Sequence, residues 1–96
     1  MNTPESKPIR LTLYVAGQTP KSLAAIRNLE QICQDHFVGR YEIEVVDLRA
    51  APHLAREHNI LAIPTLVREL PTPMRKLIGD LSDTEKVLVN LSVMEP

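Results

Sequence analysis

The stretch LTLYVAGQTPKSLAAI, Leu11 to Ile26, decides the fold. Leu11, Leu13 and Val15 alternate with Thr12 and Tyr14, the period of a strand with a buried face, and Ile9 extends the pattern backwards. Gly17 to Pro20 supply a turn. From Ser22 the period changes: Leu23, Ile26, Leu29, Ile32 and Cys33 fall on one helical stripe, with Arg27, Glu30 and Gln34 outside it. Gly39 ends that segment. Tyr41, Ile43 and Val45 then alternate with Glu42 and Glu44. A strand, a helix of about sixteen residues and a second strand make a βαβ unit, which implies parallel pairing and a right-handed crossover.

The second half is less uniform. DLRAAPHLAREHNI reads as a loop and a short helix beginning near Pro52, since proline suits a first helical turn. AIPTLV enters a strand, with Pro64 confined to its start. Two segments then satisfy two periods each. Met74 to Gly79 fits a strand leaving the Pro71-Thr72-Pro73 turn. It also fits a helix, with Met74, Leu77 and Ile78 at i, i+3, i+4 and Gly79 as a stop. Ser82 to Glu85 has the form of a capping box, with Ser82 accepting from the Glu85 N–H. Val87, Leu88, Leu91 and Met94 make a helical stripe after it, yet Val87, Val89, Leu91 and Val93 also alternate as a strand would. One sequence with two packings close in free energy would read in this way.

Composition sets the bounds. The 96 residues make one domain, read as residues 9–96 after a flexible lead-in at 1–8. A formal net charge of −1 and aromatics limited to Tyr14, Phe37 and Tyr41 give no draw toward nucleic acid or an anionic membrane. The opening segment is polar, without an apolar signal core, and no run reaches membrane-spanning length, so the expected location is the cytoplasm.

Chemistry is hard to find. A single cysteine, Cys33, excludes an internal disulfide, and its place on the apolar stripe marks it as a packing residue. His53 and His58 are five apart and do not share a helical face as metal ligands would. Asp80 and Asp83 suit a helix start rather than acid–base work. No phosphate-binding glycine fingerprint is present. No catalytic residue, cofactor or metal is therefore expected. What remains is a candidate partner-binding surface built from Lys21, Arg27, Arg68, Arg75 and Lys76, whose charges could steer an acidic partner.

HNILAIPTLVREL makes a resemblance specific. A proline followed by threonine at the head of a strand resembles the cis-proline corner of thioredoxin-like folds, where it faces the loop after the first strand. That loop is Ala16 to Lys21 here, and Gln18 and Lys21 stand where a redox site would hold cysteines. The strings LYVAGQTP, ILAIPTL, LPTPMRKLIGDLSD and EKVL, in that order, further resemble the KaiB circadian-clock family over about Leu11 to Leu91. The resemblance implies an α/β, thioredoxin-like protein whose C-terminal half switches between two arrangements, with Pro64, Pro71, Pro73 and Gly79 as candidate switch positions. It also implies a non-enzymatic module that binds a KaiC-type ATPase and helps sequester KaiA. When free, such a protein is expected to be a homo-oligomer, a tetramer or dimer. A thioredoxin-fold redox or glutathione-dependent enzyme is one alternative; a stress-response adaptor without a clock is another.

Overall fold

The computed structural model describes residues 8–92. The elements run β1 (Ile9–Val15), α1 (Pro20–His36), β2 (Tyr41–Asp47), α2 (His53–Glu57), β3 (Thr65–Leu70), β4 (Arg75–Ile78) and α3 (Thr84–Leu91). The four strands form one sheet in the order β2-β1-β3-β4. β1 pairs with β2 in parallel, from Ile9 opposite Tyr41 to Val15 opposite Asp47. β3 is antiparallel to both β1 and β4. The expected βαβ unit is thus present, followed by an antiparallel hairpin.

α1 and α3 cover one face of the sheet, where Leu11, Leu13, Leu29, Leu66, Val87 and Leu91 share a core. Fully burying each such side chain contributes roughly 1.5–3 kcal/mol. α2 covers the other face over a smaller cluster of Tyr14, Leu48, Ile60 and Val67. β1 lies in the middle of the sheet and is covered on both sides. Thr12 and Tyr14 are therefore buried along with the alternate residues that the sequence pattern singles out.

The face of α1 also differs from the expected stripe. Its buried residues are Ser22, Ala25, Leu29, Ile32 and Cys33, while Leu23 remains 43% exposed. Small residues at Ser22 and Ala25 let the first turns lie close to the sheet, and the buried Ser22 hydroxyl accepts from Ala16 N–H at 3.1 Å. Apolar periodicity gives no weight to a serine, so it rotates the predicted face.

Both ambiguous segments take one form here. Arg75–Ile78 is a strand, with Leu77 opposite Leu66 and buried. Thr84–Leu91 is a helix that buries Val87 and Leu91 and leaves Val89 70% exposed, as helical spacing demands and strand alternation would not. Met94 and Val93, which each pattern invoked, lie outside the described residues, as do residues 1–7 of the expected lead-in. The helix cap is one residue later than the capping box places it. Asp83 is the N-cap and accepts from Lys86 N–H, while Ser82 N–H donates to Asp80 Oδ1 at 3.0 Å.

Candidate functional site

The strand register gathers four loops at one end of the sheet. β1 and β2 finish together at Val15 and Asp47. Tyr14 lies opposite Thr65, and Thr65 opposite Ile78, so β3 begins and β4 ends at that same edge. The segments meeting there are 16–19, 48–52, 61–64 and 79–83.

Each is tied down by short polar contacts. Thr19 caps α1, its hydroxyl accepting from Ser22 N–H, with Pro20 at the first helical position. Asp47 Oδ1 accepts from the N–H groups of Gly17 and Arg49, both at 2.9 Å, and these bonds hold its carboxyl below the usual carboxylate range. Gly17 sits at φ +61, and a Cβ there would meet the Arg49 guanidinium, so this glycine serves both the turn and a close approach. The Ile63–Pro64 peptide is cis, which is the corner geometry the resemblance implies. Pro64 O accepts from Gly79 N–H at 3.0 Å and Thr65 Oγ1 donates to Ala62 O. Asn28 of α1 donates to Asp80 O at 2.9 Å, tying the 79–83 loop to the helix.

The end so built is apolar and weakly cationic. Leu61 is 88% exposed, Ile63 42% and Ile78 61%. Lys21 is exposed on the first turn of α1. The Asp80 carboxyl is held below its usual range, mainly by hydrogen bonds from Ser82 and less by the charge of Lys21. The thiol is elsewhere: Cys33 is fully buried in the core, where burial pushes it up to about 11. A group so buried and so protonated cannot act as a nucleophile at neutral pH. Among the described residues, this surface offers apolar side chains and a lysine to a partner and carries no cysteine.

The candidate basic residues do not form one patch. Lys21 belongs to the loop end and Arg27 to the exposed side of α1. Arg75 starts β4 at the opposite end of the sheet. Lys76 projects on the α2 side and donates to His58 O at 3.0 Å and Asn59 O at 3.1 Å. Arg68 departs from the expectation of a surface cation, being only 4% exposed. β3 is an inner strand, and Arg68 points beneath α3, donating to Asn90 O at 2.8 Å, Ser92 O at 3.4 Å and Pro73 O at 2.7 Å. In this conformation it clasps the C-terminal half and offers a partner nothing. Burial, and secondarily the nearby Arg75 charge, lower its pKa.

Of the candidate switch positions, Pro64 and Gly79 meet at the loop end, while Pro71 and Pro73 shape the β3–β4 turn at the far end, with both X-Pro bonds cis. Sequence reading did not single out Asp47, Leu61 or Ile63. A carboxylate ending a strand near a glycine turn is a faint signal, and exposure of an isoleucine is not visible before the fold is known.

Comparison with known proteins places these features. A family model described as the KaiB domain matches residues 12–93. The chain is 52% identical over 84 residues to the circadian clock oscillator protein KaiB of Rippkaea orientalis, covering 88% of this chain and 81% of that one. It is 49% identical over 92 residues to its counterpart in Trichodesmium erythraeum, covering 96% and 88%. Among solved structures, the N-terminal domain of Synechococcus elongatus SasA superposes with a TM-score of 0.73 at 21% identity, covering 93% of this chain and 86% of that one. Mitochondrial thioredoxin 3 of Saccharomyces cerevisiae superposes at 0.69 and 19% identity, covering 91% and 82%. At such identities the two superpositions speak for the thioredoxin-like fold alone. The two curated relatives carry the name of a clock protein, not of an enzyme.

Proposed function

The chain belongs to the KaiB family of circadian clock proteins, and from that premise we propose that it is a non-enzymatic cytoplasmic module that docks a KaiC-type ATPase through the loop end of its sheet. The observation that carries this reading is the pairing of exposed Leu61, Ile63 and Ile78 with Lys21 at a thioredoxin-like loop end whose only cysteine lies in the core. Exposed apolar residues grouped on a rigid edge mark interaction sites. A neighbouring lysine adds steering toward an acidic face. KaiA is the further partner this reading assigns, and a homo-oligomer is its free form. The arrangement described above is the one that binds. If a second arrangement holds part of the free population, apparent affinity falls by the competent fraction.

The test is a pull-down by a KaiC-type ATPase in the presence of ATP, with parent, Ile63→Asp and Lys21→Glu chains. Placing a charge at a central apolar contact should weaken capture by at least about tenfold, and reversing Lys21 by less. Full capture of Ile63→Asp would remove the loop end from the interface. Failure of the parent chain to be captured would end the proposal.

A further inference from the structure

We propose that the free edge of β4 accepts an extended, acidic peptide segment of a partner protein as a fifth strand. Among the described residues β4 is an edge strand, paired with β3 alone. In an antiparallel pair each residue directs both main-chain groups toward its neighbour or both away, alternately along the strand. Gly79 N–H reaches Pro64 O across to β3, so Leu77 and Arg75 face β3 as well. The N–H and C=O groups of Lys76 and Ile78 therefore point outward. Such a row is a template for another strand.

A groove of about 580 Å³ runs at this edge, lined by Asn59 and Leu61 from the α2 side, by Lys76 and Ile78, and by Lys86 and Asn90 of α3. Because these residues come from both faces of the sheet, the hollow straddles the edge. At about 3.3 Å per residue, the four residues of β4 can template roughly four or five residues of an extended chain.

Charge selects the occupant. Among the described residues, Lys76 and Lys86 are the charged residues of the lining, and no carboxylate shares it. Asp80 and Asp83 line a smaller adjoining hollow, where they accept from the N–H groups of Ser82 and Lys86. The exposed side chains of Leu61 and Ile78 add apolar contact for alternate residues. A second copy of this chain pairing edge to edge would bring lysines against lysines, and like charges across a strand pair repel. The favoured segment is thus acidic, apolar at alternate positions, and not this chain's own β4. This recognition mode uses main-chain bonds for affinity and flanking pockets for choice. The groove shares Leu61 and Ile78 with the loop end, and a titration without the ATPase tests it apart from that docking.

The experiment titrates the full chain with a blocked hexapeptide alternating glutamate and valine, read by amide NMR and hydrogen exchange. Saturable shifts centred on the Lys76 and Ile78 amides are expected, with their exchange slowed at least about tenfold at saturation. Lys86→Gln should weaken the peptide by a few-fold and Lys86→Glu by about tenfold or more, each checked for native circular dichroism. A lysine–valine peptide, and a glutamate–valine peptide N-methylated at every residue, should leave both amides unchanged. The proposal falls if the glutamate peptide gives no shift there at about 5 mM, a concentration that would reveal even millimolar affinity. It also falls if the methylated peptide binds equally, if Lys86→Glu changes nothing, or if those amides are protected by self-association alone.

Discussion

Replacing Arg68 with methionine should loosen α3 and the β3–β4 turn from the sheet. The guanidinium makes two short bonds, to Pro73 O at 2.7 Å and Asn90 O at 2.8 Å, and a longer one to Ser92 O at 3.4 Å. A hydrogen bond from a charged donor contributes roughly 1.5–3 kcal/mol, so the two short ones total about 3–6 kcal/mol before offsets. Methionine fills much of the same volume and avoids the cost of burying a cation. The Arg68 Nε is itself buried without a partner among the described residues, which lowers the value of the parent arrangement. Exchanging a buried ion pair for apolar residues can stabilise a protein, but here the acceptors are main-chain carbonyls that methionine would leave unpaired. The net loss should be about 2–4 kcal/mol, and Tm should fall on the order of 10–20 °C. Urea unfolding followed by circular dichroism gives the free energy, and hydrogen exchange gives its location. Amides of α3 should lose more protection than those of α1. Stability within about 0.5 kcal/mol of the parent, with α3 protection intact, would refute the clasp.

Four further outcomes follow from the same geometry. Cys33, with its thiol near 11, should be inert to an aromatic disulfide reagent in the native protein and react at the rate of unfolding; fast stoichiometric labelling at pH 8 would contradict its burial. Cys33→Ala should cost about 1 kcal/mol in thermal unfolding and leave ATPase capture unchanged. Gly17→Ala should cost about 1–2 kcal/mol from the left-handed backbone, a cost that persists in an Arg49→Ala background because φ +61 remains; no loss in either background would contradict it. Asp47 has a folded-state pKa below its unfolded value, so its contribution is full above the unfolded carboxylate pKa and is lost as pH falls through the folded one. Asp47→Asn should therefore lower stability at pH 7 and flatten the acid limb of the stability–pH curve. An unchanged acid limb would show that Asp47 is not so held.

How much of this was legible beforehand depended on whether a signal was local. The βαβ unit could be read because Leu11 to Val15, α1 and Tyr41 to Val45 each carry a single unambiguous period. The helix start was placed late, since Gly17 to Pro20 read as a turn whereas Thr19 is the N-cap and Pro20 the first residue of α1. Segments 74–79 and 84–91 could not be assigned from periodicity, since Leu77, Val87 and Leu91 suit either form; the sheet decides by giving Leu66 a partner in Leu77. Arg68 misled for a related reason. An arginine in a strand reads as a surface group, and only the turn at Pro73 and the end of α3, folded back over it, supply the carbonyls that bury it. The exposed apolar end escaped notice because Leu61 and Ile63 flank a strand and look like ordinary core residues in sequence.

The most direct measurement is the mass of the species formed with a purified KaiC-type ATPase and ATP, by size exclusion with light scattering. The parent chain should add its own mass to the ATPase assembly in a saturable way, and Ile63→Asp should not at the same concentrations. A parent chain that elutes alone at every concentration, or that turns over a disulfide or glutathione substrate in the same preparation, would contradict the proposed function.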